Sequence, residues 1–409
     1  MTELITTLER QIPKWMAREN VPGLSVALID DAQVVWRRGF GVKDRDSKDP
    51  VTVETIFQAA SLSKPLFAYT VLQWSRSGTL DLDRPLSTML PEPYIPDDPR
   101  LQQITARNVL SHTPGFPNWR PKDQPLRIHF TPGERFAYSG EGYVYLQRVI
   151  ERLTGQRLDE WMQAQVLVPL NMPNSSYVWI DAYEALAARG HDDKGIPQEP
   201  GKMTEPNAAY SLYTTPSEFA RFVTILLEPP PDPACLDRDQ IAHMLTPQIA
   251  VNDAGFDAKR PTTEITLRAD VSWGLGWGLQ HAPDKEAFWH WGDNGFFQAF
   301  VMGFPQSGSG MVCMANGENG RALWGDLFGA VFGRAQPAIA WLTDLYGGPK
   351  ATPIMTIEEA ASYLQLHPLT ARRLAREGTI PAFKVGRQWR IKRTLLDAWL
   401  DERSLHNLA

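Results

Sequence analysis

In "FQAASLSKPLFAYTVLQW", residues 57 to 74, a serine stands three residues ahead of a lysine. A serine hydroxyl is a poor nucleophile until a neighbouring base takes its proton. A lysine kept neutral by burial and positive surroundings is such a base. Pro65 is tolerated only in the first turn of a helix, so this helix is expected to begin near Ser61. Three residues make nearly one turn, which sets the Lys64 amine beside the Ser61 hydroxyl at the positive end of the helix dipole. Taken alone, however, S-x-x-K is a short motif, and a helix cap followed by a solvated lysine accounts for it more readily.

The surrounding elements decide how such a pair would be held. "MTELITTLERQIPKWM" carries Leu4, Leu8, Ile12, Trp15 and Met16 on one helical face. "GLSVALID" and "AQVVWRRGFG" then read as two strands joined by a polar turn at Asp30-Asp31. After the Ser61 helix comes a proline-rich, helical middle, with Gly155 breaking one helix and Ser217 near the start of another. "VSWGLGWGLQ", "FFQAFVMGFP" and "GMVCMANG" read as strands, and "LWGDLFGAVFGRAQPAIAWLTDLY" as a closing helix. Strands and helices at both ends around a helical insert predict an α/β layer plus an α domain.

Composition narrows the classes. The chain has 409 residues, 43% hydrophobic and 22% charged, as in globular domains with a large core. Cys235 and Cys313 are far apart, which argues against a disulfide framework or a metal site. The N-terminal stretch, with Glu3 and Glu9, lacks the apolar region of a signal peptide, and no run is long enough to span a membrane, so a cytoplasmic protein without membrane association is expected. G-x-S-x-G, H-E-x-x-H and P-loop motifs do not occur, and no metal or cofactor is expected.

Further segments raise the weight of Ser61. "FTPGERFAYSGEGYVYLQRVIERLTG" puts Tyr138 in a turn ahead of a helix, and "HWGDNGFF" puts His290 before Gly292. With "ITARNVLSHTPGFP", "PNAAYSLYTTPSEFARF" and "WGLGWGL", the chain from residue 1 to about 346 resembles the serine β-lactamase-like family, which includes class C β-lactamases and related esterases and D-amino-acid peptidases. The resemblance implies an antiparallel sheet flanked by helices, with an all-α subdomain. It implies Ser61 as the acylated nucleophile, Lys64 as its base, Tyr138 in the proton relay and His290 in the third motif. The backbone N–H groups of Ser61 and Asp293 would form the oxyanion hole, with Gly292 letting that strand approach the substrate. Two departures stand out: Tyr138-Ser139-Gly140 replaces Y-x-N, and His290-Trp291-Gly292 replaces K-T-G. The first removes an amide that would contact an acylamide. The second replaces an ammonium by a group with an ordinary pKa near ~6.5. Both favour an esterase or amidase over an efficient β-lactamase. Trp291 and Trp119 are candidates to line a pocket, whereas His112 in "LSHTPG" is read as structural.

The C-terminal segment has another style. From Lys350 onward ten Lys/Arg stand against six Asp/Glu, a net +4, while the remainder carries 31 against 41, or −10. Such asymmetry points to an anionic partner for the tail. Residues 347–353, "GGPKATP", read as a linker between a hydrolase-like domain (1–346) and a small domain (354–409). A capping box at Thr356 and Glu359, a second helix from Pro368 to Gly378, a hairpin turning near Gly386 and Arg387, and a last helix from about Thr394 to Glu402 make a winged helix-turn-helix. The segment resembles excisionase-type DNA-binding domains related to the MerR family. Thr370, Arg372, Arg373 and Arg376 are the groove-facing candidates, and Lys384, Arg387 and Arg390 the wing residues that would meet phosphates. A homodimer is expected, because half-site recognition usually needs two copies.

Two functions remain open on sequence alone. One is a serine hydrolase cleaving a small ester or amide through an acyl-enzyme (esterase, D-aminopeptidase or weak β-lactamase) and tethered to DNA. The other is a transcriptional regulator in which the hydrolase fold senses a ligand.

Overall fold

A computed structural model describes residues 1–282, 285–333, 336–346, 354–364, 366–386, 388–392, 395–396 and 399. The chain divides into two compact units, Met1–Trp341 and Leu342–Ala409. The expected linker, 347–353, lies outside the described residues.

The first unit is built on one eight-stranded antiparallel sheet in the order β2-β1-β10-β9-β8-β7-β6-β5. Its strands in chain order are β1 (Gly23–Asp30), β2 (Gln33–Gly41), β5 (Ile249–Asn252), β6 (Leu267–Trp273), β7 (Gly278–Gln280), β8 (Ala287–Asp293), β9 (Gln298–Phe304) and β10 (Ser309–Ala315). A separate short pair, β3 (Phe57–Ala60) and β4 (Leu212–Thr214), lies between them in sequence. The β1–β2 hairpin closes through Asp31 and Ala32, both with φ near +50°, which suits a two-residue turn between right-twisted strands. Alternation along β9 covers both faces of the sheet: Phe300 packs on one side, and Ala299 and Val301 join the main core on the other.

The helices are α1 (Thr2–Arg18), α2 (Ser63–Arg76), α3 (Ala106–Leu110), α4 (Gly140–Thr154), α5 (Leu158–Met162), α6 (Tyr183–Leu186), α7 (Pro216–Leu227), α8 (Arg238–Met244), α9 (Trp324–Phe332) and α10 (Pro337–Leu345). Trp324 and Phe328 of α9 cover Phe300, whereas α2 and α7 supply the opposite core, where Tyr69 meets Phe222 edge-on at 5.4 Å. Of the five apolar residues on the α1 face, Leu8, Ile12 and Met16 are the buried ones. The single closing helix expected over Leu323–Tyr346 is two helices, because Gly333 adopts φ 90° and Pro337 starts afresh. Strands at both ends of the chain around a helical insert give the antiparallel, helix-flanked architecture expected from the sequence. Among the described residues no helix is long and apolar enough to cross a membrane.

In the second unit, β11 (Ile354–Met355), α11 (Ile357–Tyr363), α12 (Pro368–Arg376), β12 (Ala382–Val385) and β13 (Gln388–Lys392) follow one another, and the strands pair in the order β11-β13-β12. Met355, Ile357, Ala360, Ala361, Ala371, Ala375, Ile380 and Ile391 form its core. Small alanines on the facing sides of α11 and α12 let the two helices approach closely. The last helix, expected from Thr394 to Glu402, lies mostly outside the described residues, as does Arg387.

Candidate active site and nucleic-acid interface

Ser61 is delivered by β3, whose pairing with β4 is broken by a bulge between Gln58 and Ala60. Ala60 sits at φ 49°, a left-handed conformation that costs a residue with a Cβ about 1–3 kcal/mol and persists only where its surroundings enforce it. The enforcing groups are explicit. Ser63 Oγ donates to Ala60 O at 2.6 Å and accepts from Leu212 N–H at 2.9 Å, and Tyr177 Oη donates to Ser63 O at 2.7 Å. Helix α2 starts at Ser63 rather than Ser61. The serine therefore stands in the turn just ahead of the helix, half-buried, with its carbonyl accepting from Lys64 N–H at 3.0 Å.

Lys64 is fully buried. Its Nζ lies 3.0 Å from Ser61 Oγ and donates to Ala209 O at 2.8 Å. It stands 4.8 Å from the centroid of the Tyr138 ring and 5.5 Å from that of Tyr143. No carboxylate pairs with it among the described residues. Burial therefore pushes its pKa well below the ordinary lysine value. The loop that presents the Ala209 carbonyl is anchored to α4, where Gln147 Oε1 accepts from Ala208 N–H at 2.8 Å.

Tyr138 is held from both sides by one histidine. Ala137 N–H donates to His112 O at 2.9 Å, and Ser139 N–H donates to His112 Nδ1 at 3.0 Å. The imidazole lies over the Tyr138 ring, with centroids 4.1 Å apart. Because Nδ1 accepts, a neutral His112 carries its proton on Nε2. Burial, then the nearby Lys64 and His290, hold its pKa well below the usual imidazole value. His112 also has φ 55°. The segment "LSHTPG" places a histidine ahead of a turn, and in the structure that histidine is a buried support for Tyr138. Ala209 contributes only a main-chain carbonyl, which leaves no side-chain signal to find.

His290 stands near these groups without opening onto solvent. It is fully buried in β8, its Nδ1 donates to Trp291 O at 2.7 Å, and its ring is 6.1 Å from that of Tyr138. Burial and Lys64 push its pKa well down. A neutral, buried imidazole presents no positive charge to a ligand. Trp291, 3% exposed and 4.7 Å from the Tyr138 ring, backs the site, whereas Trp119 is 44% exposed. At Gly292 a Cβ would lie 2.2 Å from Ala59 O, so the close approach that glycine permits here is of β8 to β3. Asp293 is the last residue of β8. The Asp293 carboxylate is engaged by Gly295 N–H at 2.8 Å and Arg321 Nη1 at 3.2 Å.

Residues 8–332 match the Beta-lactamase family model. The chain belongs to the beta-lactamase family. A staphylococcal relative, "Protein flp" of Staphylococcus aureus (strain N315), is 24% identical over 340 residues, which cover 77% of this chain and 64% of that protein. The chain thus spans under two thirds of the length of such curated relatives. "Penicillin-binding protein 4" of Amycolatopsis lactamdurans is 25% identical over 339 residues, covering 77% of this chain and 86% of that one. Among solved structures, a beta-lactamase/D-alanine carboxypeptidase from Pseudomonas syringae superposes with a TM-score of 0.67 at 19% identity, covering 82% of this chain and 100% of that one. The octameric penicillin-binding protein homologue from Pyrococcus abyssi gives 0.63 at 22%, covering 91% and 81%. These likenesses establish the beta-lactamase fold. Residues 354–404 match the Helix-turn-helix domain model, so this member of the family carries a helix-turn-helix domain at its C-terminal side.

In that domain Thr356 and Glu359 close a capping box: Thr356 N–H donates to Glu359 Oε2 at 2.7 Å, and Glu359 N–H to Thr356 Oγ1 at 3.2 Å. The residues His367-Pro368-Leu369 replace a small polar cap, and His367 Nδ1 serves instead by accepting from Leu369 N–H at 3.3 Å. Ala371 and Ala375 face inward, and Arg372, Arg373 and Arg376 are exposed on α12. Arg372 pairs with Glu358 at 3.2 Å and Arg373 with Glu377 at 2.9 Å. Arg376 forms no ion pair among the described residues. Thr370 is half-buried, Lys384 lies over the Trp389 ring at 5.1 Å, and Arg390 donates to Gln388 Oε1 at 2.6 Å.

Proposed function

We propose that the beta-lactamase-like unit is a serine hydrolase acting on a small ester or amide through an acyl-enzyme, and that the C-terminal unit binds DNA. The observation that carries the first half is the 3.0 Å contact between Ser61 Oγ and the amine of a fully buried lysine that no carboxylate pairs with among the described residues. Ser61 Oγ attacks the carbonyl carbon while its proton passes to Lys64 Nζ, which the Ala209 carbonyl holds in place. The backbone N–H groups of Ser61 and Asp293 are assigned the developing oxyanion; the close approach of Gly292 to Ala59 supports that assignment. When the bond to the leaving group breaks, the proton is returned to it from Lys64, with Tyr138 as relay. Water then attacks the ester formed on Ser61 by the same route, which releases the acid and restores the hydroxyl. His112 and His290 act as positioning residues: one orients Tyr138, and both stay neutral beside Lys64.

Intact mass after exposure to a fluorophosphonate tests this. The wild-type chain is expected to gain one adduct and the Ser61→Ala chain none; an equal adduct on both would overturn the assignment. A second reading, a ligand sensor, is favoured by the helix-turn-helix domain in the same chain. A penicilloyl or phosphonyl adduct that persists and changes DNA affinity would select the sensor, and rapid turnover of carboxylic esters the enzyme.

For the DNA-binding half, Arg376 is the α12 arginine that forms no ion pair among the described residues. Arg376→Ala is expected to lower DNA affinity about tenfold at low salt and to reduce the slope of log K against log salt by about one. Unchanged affinity in a low-salt filter-binding or anisotropy titration would remove α12 from the interface.

A further inference from the structure

Leu369 is 68% exposed, more than any other large apolar side chain among the described residues. It stands in the first turn of α12, directly after Pro368, and its backbone is fixed there. His367 Nδ1 accepts from Leu369 N–H at 3.3 Å, and His367 O accepts from Thr370 N–H at 2.9 Å and Ala371 N–H at 3.1 Å. The imidazole that replaces a small polar cap is thus turned to the backbone, and the side chain that the first turn presents to solvent is a leucine.

Counted from Leu369, positions i+3, i+4 and i+7 are Arg372, Arg373 and Arg376, which the helical period sets on the same face. All four are exposed, whereas Ala371 and Ala375 are buried on the opposite face and Leu374 packs beside them. The exposed stripe therefore has a short apolar side chain at its N-terminal end and long cations behind it. A partner that fits the whole stripe is anionic along most of its length and apolar at one point. Duplex DNA meets both terms. A recognition helix enters the major groove with its N-terminal residues at the base edges. Among the groups that bases present there, the C5 methyl of thymine is the apolar one, and the others donate or accept hydrogen bonds that a leucine leaves unpaired. Reach agrees with this order: the short leucine stands at the end nearest the bases, and the arginines further along are long enough to meet phosphates.

We infer that Leu369 selects a thymine in the DNA bound by the C-terminal unit, by apolar contact with its C5 methyl group in the major groove. The inference rests on the DNA-binding reading and deepens it. Arg372 and Arg373 are engaged by Glu358 and Glu377, and Arg376 is the stripe's arginine without an ion pair among the described residues. The charged part of the stripe supplies attraction to phosphates that is blind to sequence. Leu369 carries no charge and gains nothing from a phosphate, so its contribution depends on which base lies beneath it.

The test uses the full chain and the duplex it enriches from a random-sequence pool at low salt. Each thymine of that duplex is replaced in turn by deoxyuridine, which removes the methyl group and keeps the pairing. The wild-type chain is expected to lose about fourfold in affinity at one thymine, the effect of one methyl group left in water. At that position Leu369→Ala is expected to bind thymine and deoxyuridine DNA equally, and Leu369→Met to retain most of the preference. Leu369 lies outside the buried core of this unit, and the equal helix content of the variants by circular dichroism verifies that they fold. A wild-type chain indifferent to every such replacement overturns the inference, as does a thymine preference that survives in Leu369→Ala. Affinity lost by Leu369→Ala equally on both duplexes, with the wild-type methyl effect absent, places the leucine in a protein contact and overturns it too. The two readings fail separately. A wild-type chain that binds no duplex at low salt refutes DNA binding and the inference together, whereas one that binds every duplex equally refutes the inference alone.

Discussion

Lys64→Arg is expected to lower kcat/KM for ester hydrolysis by about 10²–10⁴-fold while Ser61 stays in place. Arginine keeps length and positive charge but cannot lose its proton in a protein. The site gives Lys64 what a base requires. It is fully buried, has no carboxylate partner among the described residues, and lies within hydrogen-bond distance of the serine oxygen. A guanidinium there can neither accept the Ser61 proton nor regain solvation. In the wild-type chain the same argument fixes the acid limb of the pH profile. kcat/KM falls as pH drops through the lowered Lys64 pKa, because the protonated ammonium has no lone pair for Ser61. Loss of activity only through an ordinary lysine pKa near 10.5 would mean that the amine is solvated. Retention of wild-type activity by the arginine variant would mean that another group is the base.

What was legible in the sequence follows from what each signal depends on. The strands β1 and β2, helix α4 ending at Gly155 and helix α7 starting beside Ser217 were readable because local propensity, capping and burial agree there. The break at Gly333 was missed because the apolar pattern runs through it and only the left-handed backbone ends the helix. The Ser61–Lys64 pair was legible as a spacing, but its geometry was not. The spacing implied one continuous turn, whereas the serine sits on a left-handed Ala60 held by Ser63, Leu212 and Tyr177 from far along the chain. The lowering of the amine's pKa depends on burial by the arms that carry Tyr138 and Ala209, and no local pattern reports that. His290 shows the converse. The motif placed it near the site, but the pleat buries both faces of β8, so its side chain contributes a neutral ring and no charge.

Lys64→Met is expected to make the folded unit more stable, and the gain should grow as pH falls from about 10 toward neutrality. Burying an unpaired amine in its neutral form costs stability whenever the unfolded chain would hold it protonated. The sign follows from proton counts. Above the unfolded pKa of 10.5 both states are neutral and the wild-type lysine carries no penalty of this kind. Between that value and the lowered folded pKa the unfolded state binds one more proton. Wild-type stability therefore drops by about 1.4 kcal/mol per pH unit on acidification, and below the folded pKa the loss levels off. Methionine has similar reach, no charge and no proton to bind, so its variant lacks this slope. It does leave the Ala209 carbonyl without the Lys64 donor, a roughly constant cost of about 1–3 kcal/mol that pH does not alter. The difference between the two chains in urea midpoint, followed downward from pH 10, should thus widen across the interval between the unfolded and the lowered folded pKa and flatten below the latter, and the pH of flattening reads the Lys64 pKa directly. A difference that stays constant over that range would show that Lys64 keeps an ordinary pKa, and the base assigned to Ser61 would fall with it. The same measurement explains why such a residue is retained: the amine that destabilises the fold is the one able to take the serine proton, so stability and nucleophile activation oppose each other at a single nitrogen.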